Sequence, residues 1–121
     1  MYVNLQKTGK LGEQKALSFL IENKYKIIET NLRYQKCEID IIASKNKELV
    51  FIEEKTRTNS IISQENLISI PQQMRIIYAA DYYINKNKIG LSIKFDLIFV
   101  EKDFNSFKFT HIKEIFIPTF D

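Results

Sequence analysis

Cysteine is almost missing from this chain of 121 residues. Cys37 stands alone, so no disulfide can close within the chain, which suits a reducing compartment. Histidine is as scarce: His111 has no second His or Cys at ligand spacing, which argues against a zinc centre. Three glycines and two prolines leave little room for linkers. No repeat is visible, and the length suits a single domain over residues 1–121. No run is long or apolar enough to span a bilayer. The opening Met1-Tyr-Val-Asn-Leu-Gln-Lys7 lacks the apolar centre of a signal peptide. A cytoplasmic protein without a membrane partner is therefore expected. Neither sign of charge prevails: 18 Lys and Arg against 15 Asp and Glu leave a net charge of +3. That mild basicity permits nucleic-acid binding without demanding it. Gly9 to Gly12 lacks the Lys-Ser/Thr of a phosphate loop, and no Ser/His/Asp set is present.

What the chain does have is 45% hydrophobic residues, in alternating helix and strand patterns that predict an α/β protein. Its centre is Glu38-Ile-Asp-Ile-Ile-Ala43 followed by Glu48-Leu-Val-Phe-Ile-Glu-Glu-Lys-Thr-Arg57. Both read as strands rich in Ile, Val and Phe, joined by a polar turn of hairpin length, Ser44-Lys-Asn-Lys47. Side chains alternate faces along a strand. Glu38, Asp40 and Ile42 therefore share one face. Leu49, Phe51, Glu53 and Lys55 share a face of the second strand, with Val50, Ile52 and Glu54 opposite. Pairing in the hairpin brings Asp40 beside Glu53, so two carboxylates and an ammonium converge. Two carboxylates suit Mg²⁺, a hard cation that keeps several waters. Such an ion lowers the pKa of a bound water and stabilises charge on a phosphate. An adjacent Lys can orient that water or neutralise developing charge. The competing reading of the same residues is a salt-bridged strand end at the rim of a sheet.

Thr8 to about Asn23 predicts a helix with Ala16, Leu17, Leu20 and Ile21 inward. Glu13 falls on that stripe, one turn earlier, where an acid also complements the helix dipole. Tyr25 to Leu32 predicts a strand, with Arg33 at its end as a candidate for bidentate phosphate contact. Thr56 to Glu65 reads as a loop. In or beyond it, Arg57 and Arg75 are phosphate candidates or solvated side chains, and Ile61-Ile62 is a candidate contact with a partner. Pro71 suits the first turn of a helix reaching about Asn85, with Ile76, Ala79, Ala80 and Tyr83 inward. Gln72 lies on the same stripe near the helix start, where phosphate is favoured; it reads equally as a capping or surface residue. Lys86 to Gly90 is a turn. Lys94 to Val100 is a strand with Phe95, Leu97 and Phe99 on one face, and Asp96 reads as structural. Phe107 to Ile117 suggests a last, edge-lying strand.

Three short motifs in order, Gly9-Lys-Leu-Gly-Glu13, Glu38-Ile-Asp40 and Glu53-Glu-Lys-Thr-Arg57, give the chain a resemblance to the YraN-like family. That family is a branch of the PD-(D/E)xK nuclease superfamily, related in fold to archaeal Holliday junction resolvases. The resemblance runs from about Gly9 to Val100. It implies an α/β restriction-endonuclease-like three-layer fold, with a central mixed β-sheet flanked by helices. It also implies a Mg²⁺- or Mn²⁺-dependent endonuclease site acting on structured or branched DNA. In that site Asp40, Glu53 and the backbone carbonyl of Glu54 would hold the metal. Lys55 would assist the water, and Glu13 would complete the catalytic set. Arg33, Arg57, Gln72 and Arg75 would contact nucleic acid. The resolvase relatives are symmetric dimers, which allows a homodimer here through Ile61-Ile62 or the last strand. The alternative is a non-catalytic nucleic-acid-binding module with a vestigial site. Three departures from the family pattern bear on that choice. Cys37 stands where Gly usually precedes Glu-Ile-Asp. Glu54 replaces an apolar residue, so its carboxylate needs a partner. Gln72 replaces a Lys.

Overall fold

The computed structural model describes residues 5–58 and 67–118, with side chains from residue 10 onward. Two helices and five strands follow in the order α1 (Leu5–Glu22), β1 (Lys26–Tyr34), β2 (Cys37–Lys45), β3 (Glu48–Thr58), α2 (Ile70–Lys86), β4 (Ser92–Asp103) and β5 (Ser106–Ile112). The strands form one sheet in the order β1-β2-β3-β4-β5. All neighbours are antiparallel except β3 and β4, which run parallel. That pair needs a long crossover, and α2 lies within it.

The sheet is packed on both faces. Ile42, Phe51, Phe95, Leu97 and Phe99 pack with Ile76, Ala79, Ala80 and Tyr83 of α2. Ile41, Ala43, Val50, Ile52, Ile98 and Val100 pack on the other side with Ala16 and Leu20 of α1. The result is the three-layer α/β arrangement of the restriction-endonuclease-like fold, a mixed sheet between helices. No helix among the described residues is long and apolar enough to cross a membrane.

Local sequence accounts for the elements and for several shifts from expectation. The hairpin turn is only Asn46-Lys47, both in the left-handed region (φ 52° and 64°), the geometry of a two-residue turn between twisted strands. Ser44 and Lys45 therefore belong to β2, paired with Leu49 and Glu48. Thr56 to Thr58 are not loop but the end of β3, held by parallel pairing to Val100, Glu101 and Lys102. Residues 59–66, with Ile61-Ile62, lie outside the described residues. At α2 the Ser69 hydroxyl accepts a hydrogen bond from the Gln72 N–H (3.2 Å), an N-cap followed by Pro71 in the first turn.

On α1 the inward stripe is narrower than expected: Ile21 is 59% exposed while Ala16 and Leu20 are fully buried. The contact line runs Gly12-Ala16-Leu20 at four-residue spacing, and Ile21 falls past its edge. β5 stops at Ile112 rather than Ile117, because the chain turns at Glu114 (φ 51°). There the Glu114 N–H donates to Asp96 Oδ1 (2.9 Å) and the Ile115 N–H to the Phe95 carbonyl (2.9 Å). Asp96, 3% exposed, also meets His111 Nε2 at 2.8 Å, so this buried carboxylate is fully partnered within the fold.

Candidate active site

Asp40 sits where β2 parts from β3. The hairpin register ends at Ile41↔Ile52, and the next opposed positions are Asp40 and Glu53. Beyond that point the Glu54 N–H donates to Asp40 Oδ2 at 2.9 Å instead of to a β2 carbonyl. Asp40 and Glu53 lie near enough to shift one another's pKa, and the positive charge of Lys55 lowers both. Burial, and then the Asp40 charge, push Glu53 up to about 8. Burial also raises Asp40, against hydrogen bonds from the Glu54 N–H and from Glu53. Two carboxyls facing each other in a half-buried place resist ionising together.

Glu13, on the helix that covers the other face of the sheet, is within range of the Asp40 charge. Its pKa is raised first by burial and further by the charges of Asp40 and Glu38, while a side-chain hydrogen bond to Asn31 opposes the rise. What lets α1 come so near is Gly12: a Cβ there would lie 2.7 Å from the Cβ of Thr56 on β3. Real side chains do not pack that tightly, so the Gly12-Glu13 step brings the helix start onto β3 and carries the carboxylate with it. The Thr56 hydroxyl in turn donates to the Glu54 carboxylate. That is the partner Glu54 requires on the α1 side. Burial still pushes Glu54 up to about 7, helped by the charges of Asp40 and Glu13 and opposed by Arg57.

The Asp40–Glu53 pair opens on a cleft of about 210 Å³ that Lys36 and Glu38 line from the β1–β2 hairpin and Gln72 and Arg75 from α2. Gln72 and Arg75 thus lie where the inward stripe of α2 meets the acids. Arg33 does not line the cleft. It is 78% exposed and stands 3.9 Å from Glu38 Oε2. Arg57 is exposed and donates to the neighbouring Thr56 carbonyl (2.8 Å). Lys36 was not singled out by the sequence pattern. Its only sequence signal is its place in a tight turn immediately before Cys37-Glu38-Ile-Asp40.

The donor set is all oxygen. Among the described residues no three His, Cys, Asp or Glu side chains gather as a metal cage. A cation at Asp40 and Glu53 would therefore rely on two carboxylates, the Glu54 carbonyl and its own waters, which fits Mg²⁺ or Mn²⁺ rather than zinc. The single imidazole, His111, is committed to Asp96.

A family model described as "Uncharacterised protein family UPF0102" matches residues 12–100, a span holding Gly12, Glu13, Asp40, Glu53, Lys55 and Arg75. A UPF0102 protein of Bacteroides thetaiotaomicron is 40% identical over 111 residues, covering 91% of this chain and 92% of its own. One from Flavobacterium psychrophilum is 38% identical over 109 residues, 89% and 92% of the two chains. One from Alkaliphilus oremlandii is 33% identical over 115 residues, 92% and 98%.

Proposed function

We propose a function for a chain that belongs to the uncharacterised protein family UPF0102: metal-dependent hydrolysis of phosphodiester bonds in structured or branched DNA. One observation carries it. Asp40 and Glu53 are the opposed residues just past the end of the β2–β3 register, and both line one cleft with Lys36 and Arg75, while the charge of Lys55 acts on both acids. Two half-buried carboxylates repel once both are ionised, and a divalent cation offsets that repulsion.

Asp40, Glu53 and the Glu54 carbonyl would hold Mg²⁺ or Mn²⁺. When bound, such an ion acidifies a water and neutralises charge on a phosphate. Lys55, two residues after Glu53 on β3, puts its charge on both carboxylates, and its ammonium would orient the attacking water or meet the charge that develops on phosphorus oxygens. Arg75 and Lys36 supply cations for the flanking phosphates. Glu13 adds a further carboxyl within range of Asp40, as Glu38 does, and both strengthen the site's demand for a cation.

Gln72 favours a second reading. It lines the cleft where the family pattern usually has Lys, so the phosphate side has one cation fewer. A non-catalytic module that binds nucleic acid through a vestigial site would tolerate that loss. Incubation with a four-way junction, a fork, a duplex and a single strand in Mn²⁺ separates the two. Cleavage of a branched substrate is expected, requiring metal and absent from Asp40→Asn. DNA binding without cleavage in Mg²⁺ or Mn²⁺ would leave only the binding module.

A further inference from the structure

Three of the six tyrosines come together at one place beside the acidic cleft. Tyr34, at the end of β1, stacks on Tyr82 of α2 with centroids 3.7 Å apart and planes 4° from parallel. Tyr78, one turn earlier on α2, lies 5.4 Å from Tyr34 at 31°. Lys86 Nζ sits 5.6 Å from the centre of the Tyr82 ring. With Asp81 and Asn85, these residues border an open cavity of about 490 Å³.

Core packing accounts for only part of this group: Tyr34 packs against the core on the α2 side, while Tyr78 and Tyr82 lie outside that cluster. The buried stripe of α2 is Ile76, Ala79, Ala80 and Tyr83. Tyr78 is outside it and 49% exposed, in line with Met74 at 61% and Ile70 at 68%. A tyrosine ring offers an apolar face and a polar tip, which suits a wet surface that stacks flat ligands.

The cavity and the cleft are distinct but are framed by the same two elements. The β1–β2 hairpin places Tyr34 in the aromatic cavity and Lys36 in the cleft. Helix α2 places Gln72 and Arg75 in the cleft and Tyr78 and Tyr82 in the cavity. From Arg75 to Tyr78 the helix rises only about 4.5 Å, at 1.5 Å per residue. A strand held by its phosphate at Arg75 would bring a neighbouring base to the tyrosines. Of the polar residues that border the cavity, Asp81 and Asn85 suit a base edge, and Lys86 over the Tyr82 ring suits the adjoining phosphate. Asp81 would repel an anion but can accept from a base edge, and the Asn85 amide, which donates to Asp81 Oδ1 at 3.2 Å, keeps a carbonyl acceptor.

We infer that Tyr34, Tyr78 and Tyr82 form a seat for an unpaired nucleobase next to the phosphate held at the acidic cleft. The inference rests on the nuclease reading and narrows its substrate. Bases inside a continuous duplex are stacked and cannot reach the seat, so the favoured DNA carries a single-stranded arm, flap or opened fork.

The test is binding in EDTA, where no cleavage occurs, using single strands with 2-aminopurine at successive positions. Wild-type protein should quench the probe at a restricted set of positions. Tyr78→Ala should bind the single strand about tenfold more weakly, as for loss of one base stack. Tyr78→Phe should bind like wild type, and affinity for a blunt duplex should not change with Tyr78→Ala. Absence of quenching at every position in wild type would overturn the seat whether or not the variant folds. So would equal single-strand affinity of folded Tyr78→Ala and wild type. Quenching and its loss in Tyr78→Ala, with no metal-dependent cleavage of any DNA, would keep the seat and reject the hydrolytic reading. Cleavage without quenching would do the reverse.

Discussion

Lys55→Ala is expected to lose on the order of 10²–10³-fold in metal-dependent cleavage, the scale of removing one preorganised electrostatic group from a transition state. The charge of Lys55 lowers the pKa values of both Asp40 and Glu53, yet an ammonium cannot itself bind a cation. Fold and Mn²⁺ affinity should therefore survive its loss, and DNA affinity should drop by at most one charge contact. One consequence must be controlled. Without Lys55 the two acids hold their proton more tightly, and protons compete with metal. Wild type and variant are best compared well above the Glu53 pKa of about 8, where the pair is ionised in both. Lys55→Arg should not restore the rate, because a planar fork does not replace a compact ammonium beside a metal. If Lys55 only paired with carboxylates at a strand end, its removal would cost at most about 1 kcal/mol of stability. Activity would then stay put, and a Lys55→Ala protein cleaving at the wild-type rate would remove Lys55 from the mechanism.

Glu53→Gln should make the metal-free protein more stable, and increasingly so as pH rises. The folded pKa of Glu53 is about 8, against an ordinary 4.5. Between those values the folded state binds more protons than the unfolded state, so stability falls with rising pH. The contribution is fully present below pH 4.5 and is lost as pH passes about 8. Glu54, raised to about 7, adds a weaker slope of the same sign. At about 1.4 kcal/mol per unit the Glu53 shift would be worth roughly 5 kcal/mol. Water reaches part of the pair and Asp40 shares the proton, so about 2 kcal/mol is the expected gain at alkaline pH. The amide cannot ionise and can keep a hydrogen bond to Asp40, so the two proteins should differ little at acid pH. Urea unfolding in EDTA across the acid-to-alkaline range measures the difference directly. Parallel curves, with no divergence as pH rises, would mean that the acids are better solvated or better compensated than their positions indicate.

Both expectations begin from features that were visible in the sequence, and it is instructive which ones were. The Asp40–Glu53 juxtaposition follows from strand parity and a short turn, since opposed residues of a hairpin keep a constant sum of positions. The inward stripe of α2 follows from helical period, and Ile76, Ala79, Ala80 and Tyr83 are its buried residues. Both are local regularities. What escaped depends on distance in the chain. Ile21 has the right period but lies beyond a contact line that Gly12 and Thr56 define from elements 44 residues apart (56 − 12). The Asp96–His111 pair arises because β5 folds back on β4, so an isolated histidine becomes the partner of a structural acid. The tyrosine group needs β1 and α2 to meet. No periodicity within either element announces it. All three arginines were phosphate candidates as sequence, but only Arg75 lines the cleft.

The most direct measurement is calorimetric titration of the metal-free protein with Mn²⁺ near pH 7, repeated in buffers of different ionisation enthalpy. With Glu53 at about 8, the carboxyl pair still carries a proton at that pH. Binding should therefore release close to one proton, seen as a heat that depends on the buffer. Asp40→Asn should lose the binding altogether, while Arg33→Ala should keep it. Mn²⁺ binding unaffected by Asp40→Asn, or no binding in the wild type, would contradict a metal site at this carboxyl pair.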